Sequence, residues 1–183
     1  MVFRNGTLND VERIANLHAV SWQQNYRESF SADFLDKKAH ADRLHIWQDR
    51  FANFSKNQYL LLSEEEGKLL GFICAFFNQD KMYGTYLDNL HVASNAQGKG
   101  VGTKLMVALA KEIQRRNNEM GFYLWVLKTN KSAISFYERL GGSAIETIEA
   151  DDIGDTTFFK IRYVWKDVNV LLNLLKVKNT TEE

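Results

Sequence analysis

The chain has 183 residues, of which 45% are hydrophobic and 25% are charged, as expected of one globular domain with one core. Lysine and arginine total 23, and so do aspartate and glutamate, so the formal net charge of zero argues against nucleic acid and membrane as partners. The single cysteine, Cys74, excludes an internal disulfide and any multi-cysteine metal site, and it favours a reducing, cytoplasmic location.

The first part of the chain predicts a short strand followed by two helical segments. Residues 1–4 suit a strand, and Thr7 with Asp10 resembles a capping box. Apolar residues at helical spacing then predict a helix over residues 9–21. Residues 32–53 are charged, lack glycine and carry large apolar side chains, which predicts a second helical region.

The middle of the chain predicts β-structure. Residues 58–62 and 69–77 are apolar runs on either side of a polar turn that contains Gly67, which predicts an antiparallel hairpin. Residues 86–92 predict a third strand of this region. Cys74 lies inside the second apolar run, where a thiol behaves as a small buried hydrophobe, so we expect it to be inert.

The second half alternates helices and strands. Leu105, Met106, Leu109 and Ile113 form an apolar stripe that predicts a long helix. Residues 122–126 predict a buried strand, residues 133–140 a short helix, and residues 143–150 and 156–165 two closing strands. We expect one domain over residues 1–175 and a flexible tail over residues 176–183, which are mostly polar.

A glycine-rich turn precedes the long helix and reads Gln97-Gly98-Lys99-Gly100-Val101-Gly102-Thr103. Successive backbone N–H groups at a helix N-terminus can converge on an anion. Lys99 and Lys104 flank that end, where a cation opposes the macrodipole unless a phosphate binds between them. The spacing fits neither a Walker loop nor a dinucleotide fingerprint. A flexible connection without a ligand is the alternative interpretation.

Three segments together resemble the GCN5-related N-acetyltransferase superfamily. Gln97, Gly100 and Gly102 fill the Arg/Gln-x-x-Gly-x-Gly/Ala pattern of its acetyl-CoA loop. Residues 86–92 (Tyr-Leu-Asp-Asn-Leu-His-Val) look like its fourth strand, and residues 130–141 are similar to its second cofactor segment. Ser21-Trp22 with Tyr26 resembles the start of many bacterial members. The resemblance spans about residues 1–165, with one departure at Ser94, where family members often carry proline.

The resemblance implies an α/β (α+β) domain with a central mixed, mostly antiparallel sheet of about seven strands flanked by about four helices. It implies an acetyl-CoA-dependent N-acetyltransferase. Direct attack in a ternary complex is expected, because no well-placed nucleophile indicates a covalent intermediate. Backbone N–H groups of the fourth strand would face the acetyl carbonyl. The implied cofactor-binding residues are Leu90, His91, Val92, Gln97, Gly98, Lys99, Gly100, Val101, Gly102, Thr103, Asn130, Ala133, Phe136 and Tyr137.

Acetyl transfer from a thioester to an amine needs a neutral nucleophile, a stabilised oxyanion and a proton for the leaving thiolate. Tyr137 is the candidate acid, and the alternative is that it only packs in the core. Asp88 is the nearest obvious carboxylate. We expect it to position the substrate or to have a structural role rather than to act as the base, and a water chain could equally remove the proton from the amine. Asn89 has the opposite strand parity, so only one of the two is expected to face the cleft. Asn130 either binds the pantetheine amide or caps its helix.

The acceptor is expected to be a small-molecule or peptide amine of unknown identity. Candidate acceptor-binding residues are Trp22, Tyr26, Asp88 and Asn89, although aromatic residues at such spacing are more often core. The four histidines show no metal-ligand cluster, so no metal is expected. Two other functions stay open: a non-catalytic acyl-CoA sensor or assembly module, and an acyltransferase that uses a longer acyl-CoA or an oxygen acceptor. Exposed strand edges and the apolar residues 168–175 indicate a possible homodimer.

Overall fold

The computed structural model describes residues 1–116 and 121–180. Seven strands form one sheet in the order β1-β2-β3-β4-β5-β7-β6. The strands are β1 (Val2–Asn5), β2 (Gln58–Glu65), β3 (Lys68–Asp80), β4 (Gly84–Val92), β5 (Phe122–Leu127), β6 (Ser143–Ala150) and β7 (Phe158–Trp165). The helices are α1 (Val11–Asn25), α2 (Ala39–Ala52), α3 (Val101–Arg115), α4 (Lys131–Arg139) and α5 (Val168–Thr180). The predicted α/β architecture with a mixed, mostly antiparallel sheet is confirmed, because β4 and β5 form the one parallel pair in the described sheet.

The two N-terminal helices start where the sequence predicts but differ in length and form. The side chain of Asp10 accepts hydrogen bonds from the backbone N–H and the hydroxyl of Thr7, each at 2.8 Å, so the capping box is present. Helix α1 then runs to Asn25, beyond the predicted end at residue 21, because Trp22 is buried in the core and extends the apolar face. The second helical segment begins with a π-helical turn, Phe34–Lys38, before α2.

Strands β2 and β3 form the predicted hairpin. Its two-residue turn places Glu66 at φ 50° and Gly67 at φ 74°, the left-handed conformation that a tight hairpin turn requires. Strand β3 is longer than predicted and continues to Asp80, which pairs with Gly84 at the start of β4.

Hydrophobic cores cover both faces of the sheet. One face is packed by α3, α4 and α5, with Leu105 and Leu109 fully buried. The other face is packed by α1 and α2, with Ile14 and Trp47 fully buried. Among the described residues, no helix combines the length and apolar character needed to cross a bilayer.

Helix α5 is a helix that the sequence reasoning did not predict. Val168 and Leu171 are buried in the same core as α3, so part of the apolar stretch over residues 168–175 is covered within the chain. Val170 and Leu174 stay exposed at 46% and 39%. The helix includes residues 176–180, and residues 181–183 lie outside the described residues. A flexible tail and a homodimer therefore stay predictions.

The parallel strands β4 and β5 separate after a short contact. They pair only between Thr85 and Leu87 on β4 and Phe122 and Leu124 on β5, although β4 continues to Val92. Backbone N–H groups along a strand point alternately to its two neighbours. Every second N–H group near the end of β4 therefore faces a gap in the sheet, with no strand partner on that side among the described residues.

Candidate active site

A cavity of about 630 Å³ occupies the gap between β4 and β5 and receives side chains from both faces of the sheet. This volume lies within the usual range for small-molecule sites. Lys99 is exposed and is absent from the described cavity wall, in contrast to the other predicted site residues. The predicted residues that line the cavity are Trp22, Tyr26, Asp88, Asn89, Leu90, His91, Val92, Gln97, Gly98, Gly100, Val101, Gly102, Thr103, Asn130, Ala133, Phe136 and Tyr137.

The N-terminus of α3 opens into this cavity. Gly100 is the N-cap residue with φ 77°, and its carbonyl accepts the N–H of Lys104 at 3.0 Å. The next three N–H groups, from residues 101 to 103, have no backbone acceptor within the described chain because they belong to the first helical turn. They form a compact set of donors at the positive end of the helix, which suits a phosphate.

Two contacts hold this turn against its neighbours. The side-chain amide of Gln97 donates to the carbonyl of Val92 at 3.4 Å, which ties the turn to the end of β4. Gly102 packs so closely against α4 that a Cβ placed there would lie 3.3 Å from Cζ of Phe136. The glycine therefore allows α3 and α4 to approach each other beside the donors.

Helix α4 brings Asn130 and Tyr137 to the cavity. The side-chain oxygen of Asn130 accepts the N–H of Ala133 at 3.2 Å, so this residue caps the helix. Tyr137 is 9% exposed, packs at 6.0 Å from the ring of Trp165 and also lines the cavity. Burial raises the pKa of Tyr137 above its usual range, and the neighbouring Tyr26 acts in the same direction. Tyr137 therefore packs in the core and also lines the cavity with a protonated phenol.

A β-bulge at Asp88 changes which side chains of β4 face the acceptor side. Cys74 on β3 pairs with Asn89 while the next residue, Ala75, pairs with Leu87, so Asp88 is an extra residue. Asp88 and Asn89 consequently lie on the same face, the one covered by α1 and α2. The expectation that only one of them faces the cleft is wrong, because strict alternation fails at a bulge.

Both of these side chains bind Arg50 on α2, a residue that the sequence reasoning missed. Nη2 of Arg50 lies 2.5 Å from Oδ2 of Asp88, and Nη1 donates to Oδ1 of Asn89 at 2.7 Å. Asp88 is therefore held in an ion pair with Arg50, a geometry that fits a positioning role.

Cys74 lies close to the same carboxylate. Burial raises the pKa of the Cys74 thiol to about 12, and the nearby Asp88 carboxylate adds to this effect.

Helix α2 also directs Arg43 into the cavity. Its guanidinium carbon lies 4.1 Å above the ring of Trp22, and the residue is only 8% exposed. Arg43, Ile46 and Arg50 all line the cavity at helical spacing i, i+3 and i+7. That spacing was a signal that they share a face, but charged residues on a helix usually face solvent.

Two histidines meet at the floor of the acceptor side. The rings of His18 and His91 are 4.3 Å apart. Nε1 of Trp47 donates to Nδ1 of His18 at 3.2 Å, and Nδ1 of His91 lies 2.8 Å from the hydroxyl of Ser21. Burial lowers the pKa of His91 to about 3 and lowers that of His18 well below its usual value. Both imidazole rings are therefore neutral near pH 7.

The histidines do not form a metal centre with other ligands. Within residues 1–116 and 121–180, no group of three or more histidine, cysteine, aspartate or glutamate side chains is arranged to hold a metal ion.

Comparisons with known proteins show which proteins the chain resembles. Residues 14–142 match the family model described as "Acetyltransferase (GNAT) family". The chain is 23% identical over 177 residues to the uncharacterized N-acetyltransferase YuaI of Bacillus subtilis (strain 168), covering 94% of this chain and 96% of that protein. It is 31% identical over 81 residues to the spermine/spermidine N(1)-acetyltransferase of the same strain, which covers 42% of this chain and 53% of that protein.

Among solved structures, the PaiA N-acetyltransferase of Thermoplasma acidophilum in complex with coenzyme A is similar in fold. The TM-score is 0.67 at 18% identity, with 90% of this chain and 98% of that chain covered. The fold and the family match together define an acyltransferase of the N-acetyltransferase type. Because the family model covers more than half of the chain, the protein belongs to the GNAT acetyltransferase family, and the resemblance seen in the sequence is confirmed.

Proposed function

We propose that this protein transfers the acetyl group of acetyl-CoA to a primary amine by direct attack within a ternary complex. The observation that carries the proposal is the single cavity that joins the N-terminus of α3 to the opposite face of the sheet through the gap between β4 and β5. A diphosphate-bearing donor and an amine can enter such a cavity from opposite faces and meet at the free edge of β4.

The residues present fit the cofactor. The free N–H groups of residues 101–103 would hold its phosphates, and the edge of β4 near Leu90 would run beside its pantetheine arm. Bound acetyl-CoA supplies an activated thioester. The unpaired N–H groups of β4 then serve as donors for the carbonyl oxygen, on which negative charge develops during attack.

The acceptor side favours a neutral amine. An amine with an ordinary pKa of about 10.4 is protonated in water at pH 7. Inside the cavity, the charge of Arg43 and the removal of water both disfavour an ammonium ion. The amine therefore loses its proton to solvent, through a water chain, more readily than in bulk water. Asp88 contributes by holding Arg50 in place.

Tyr137 is the proposed donor to the leaving thiolate. Its phenol is protonated at neutral pH, and no described residue accepts a hydrogen bond from it, so the hydroxyl is available to a ligand. A thiolate with an ordinary pKa of about 8.5 is a weaker base than a phenolate, so the phenol acts chiefly by hydrogen bonding to sulfur. Cys74 is fully buried with a raised pKa of about 12, which argues against a covalent cysteine intermediate.

The proposal is tested by incubating the purified protein with acetyl-CoA and a panel of primary amines, and by measuring both free thiol and N-acetylated product. We expect thiol release that depends on the amine and equals the product formed. Initial rates should give intersecting lines in two-substrate plots, and Cys74→Ala should retain the activity. Coenzyme A binding without transfer to any amine would instead identify a sensor, and parallel lines with an acetylated chain would refute direct attack.

A further inference from the structure

Among the described residues, Arg139 on α4 lines the cavity beside the cofactor segment, and three further cations border the acceptor side and differ in how their charge is balanced. These are Arg43 and Arg50 from α2 and Lys160 from β7. The charge of Arg50 is balanced within the cavity wall, because its partner Asp88 is about equally buried; the side-chain exposures are 22% for Arg50 and 16% for Asp88. The charge of Arg50 is therefore largely compensated at the cavity surface.

The other two ion pairs are asymmetric. Arg43 binds Asp42, with Nε donating to Oδ2 at 2.8 Å, and the side-chain exposures are 9% for the arginine and 39% for the aspartate. Lys160 binds Asp152 at 2.5 Å, with exposures of 14% and 59%. In each pair the side chain of the cation is less exposed than that of the anion. Water screens the exposed anions more strongly, so the low-dielectric cavity keeps a positive potential.

The remaining titratable groups on this wall do not cancel that potential. Asp88 is occupied by Arg50, and Asp152 is the exposed member of its pair. His18 and His91 are neutral near neutral pH. Asp42 does not line the described cavity, so its carboxylate approaches Arg43 from outside.

Arg43 also has an unused donor. Its Nε and Nη2 both contact Asp42, whereas Nη1 has no hydrogen-bond partner among the described residues. The contact with the Trp22 ring, 4.1 Å away, and the ion pair with Asp42 restrain the guanidinium, and its remaining N–H groups suit a planar anion.

We infer that the acceptor is an amine that also carries a carboxylate, as in an amino acid or an acidic peptide, and that Arg43 binds this carboxylate. The inference rests on the proposed function. A carboxylate held by Arg43 would bring the amine toward the edge of β4, and removal of water in the cavity would still disfavour the protonated amine. A polyamine would instead place a second ammonium group against Arg43 and Lys160, which costs energy through like-charge repulsion.

The test compares amines of equal chain length that end in a carboxylate, a carboxamide or a second ammonium group, over a series of spacer lengths. A charge-assisted hydrogen bond contributes about 1.5–3 kcal/mol, so for the best spacer kcat/KM should favour the carboxylate by roughly 10- to 150-fold. In Arg43→Gln this preference should fall to within about threefold.

Two further variants keep the result interpretable if Arg43→Gln folds poorly. Asp42→Asn removes the competing carboxylate from outside the cavity, so KM for the carboxylate amine should fall and the preference should rise. Arg27→Gln breaks an exposed surface ion pair with Asp36 and should leave the preference unchanged.

The outcomes separate the two proposals. If no amine is acetylated, the proposed function fails and this inference falls with it. If amines are acetylated but the carboxamide or the diamine is preferred, only the inference is overturned. A carboxylate preference that is the same in Arg43→Gln and Asp42→Asn as in the unaltered protein would also overturn the role of Arg43.

Discussion

The ion pair between Arg50 and Asp88 should make a measurable contribution to stability, because it joins α2 to the bulge of β4. Replacing Arg50 by methionine leaves the Asp88 carboxylate, 16% exposed, without its cationic partner and with the Tyr86 hydroxyl as a remaining contact, and it leaves Asn89 without the Arg50 donor. Removing one member of a buried pair costs about 3–5 kcal/mol, and partial exposure places this pair at the lower end, about 3 kcal/mol.

A double-mutant cycle isolates the pair. Asp88→Asn alone should cost less than Arg50→Met, since the guanidinium keeps Asn89 and its contact with the Trp47 ring, 4.9 Å away. In the double variant no buried charge is left alone, so the loss should be smaller than the sum of the single losses. We expect an interaction energy of about 1–3 kcal/mol.

The assay is urea unfolding followed by the fluorescence of the four tryptophans, with each free energy extrapolated to water. Arg27 and Asp36 offer a matched control, because this ion pair is also 2.5 Å long but both side chains are about half exposed. The same cycle on that pair should give an interaction energy under about 1 kcal/mol. Single effects at Arg50 and Asp88 that add within about 0.5 kcal/mol would refute the reasoning.

Two further predictions concern groups inside the cavity. Tyr137→Phe should lower kcat by at least about tenfold while changing the dissociation constant of coenzyme A less than about twofold, and an unchanged kcat would remove the phenol from the mechanism. His18 and His91 have lowered pKa values when folded, so the unfolded chain binds their protons more readily as the pH falls below about 6.5. The histidine contribution to stability should be fully present above that pH and should fall by about 1.4 kcal/mol per pH unit for His91 on the way toward pH 3, with His18 acting in the same direction. Urea unfolding of His91→Gln should show a shallower slope than the unaltered protein, and an identical slope in both proteins would contradict the burial argument.

The elements that the sequence predicts well are those fixed by local pattern. The capping box at Thr7 and Asp10, the hairpin turn at Gly67 and the apolar stripe of α3 each depend on residues close in sequence. The glycine-rich turn was likewise visible, because left-handed residues and a following helix leave a clear pattern. Helix α5 was not predicted, because the sequence does not show that its apolar residues pack against α3. The same residues could equally form an exposed apolar patch.

The parts of the site that the sequence did not predict depend on distant partners. The bulge at Asp88 arises from its pairing with β3, and nothing in residues 86–92 marks an extra residue. Arg43 turns inward because Trp22 on another helix provides a ring for its guanidinium. His18 and His91 are neighbours although they are 73 positions apart in the sequence, so sequence proximity gives no sign of their contact.

The central claim is that the N-terminus of α3 holds the phosphates of an acyl-coenzyme A, and titration calorimetry with coenzyme A tests it most directly. Gly100 and Gly67 have φ of 77° and 74°, and a Cβ at either position would meet no atom within 4 Å. Valine at either position should therefore cost a similar amount of stability through backbone strain, about 1–2 kcal/mol. We predict saturable binding by the unaltered protein and by Gly67→Val, and binding weakened by at least about tenfold in Gly100→Val, since three donors depend on that turn. Equal affinity in the two variants, or no heat of binding by the folded unaltered protein, would contradict the account.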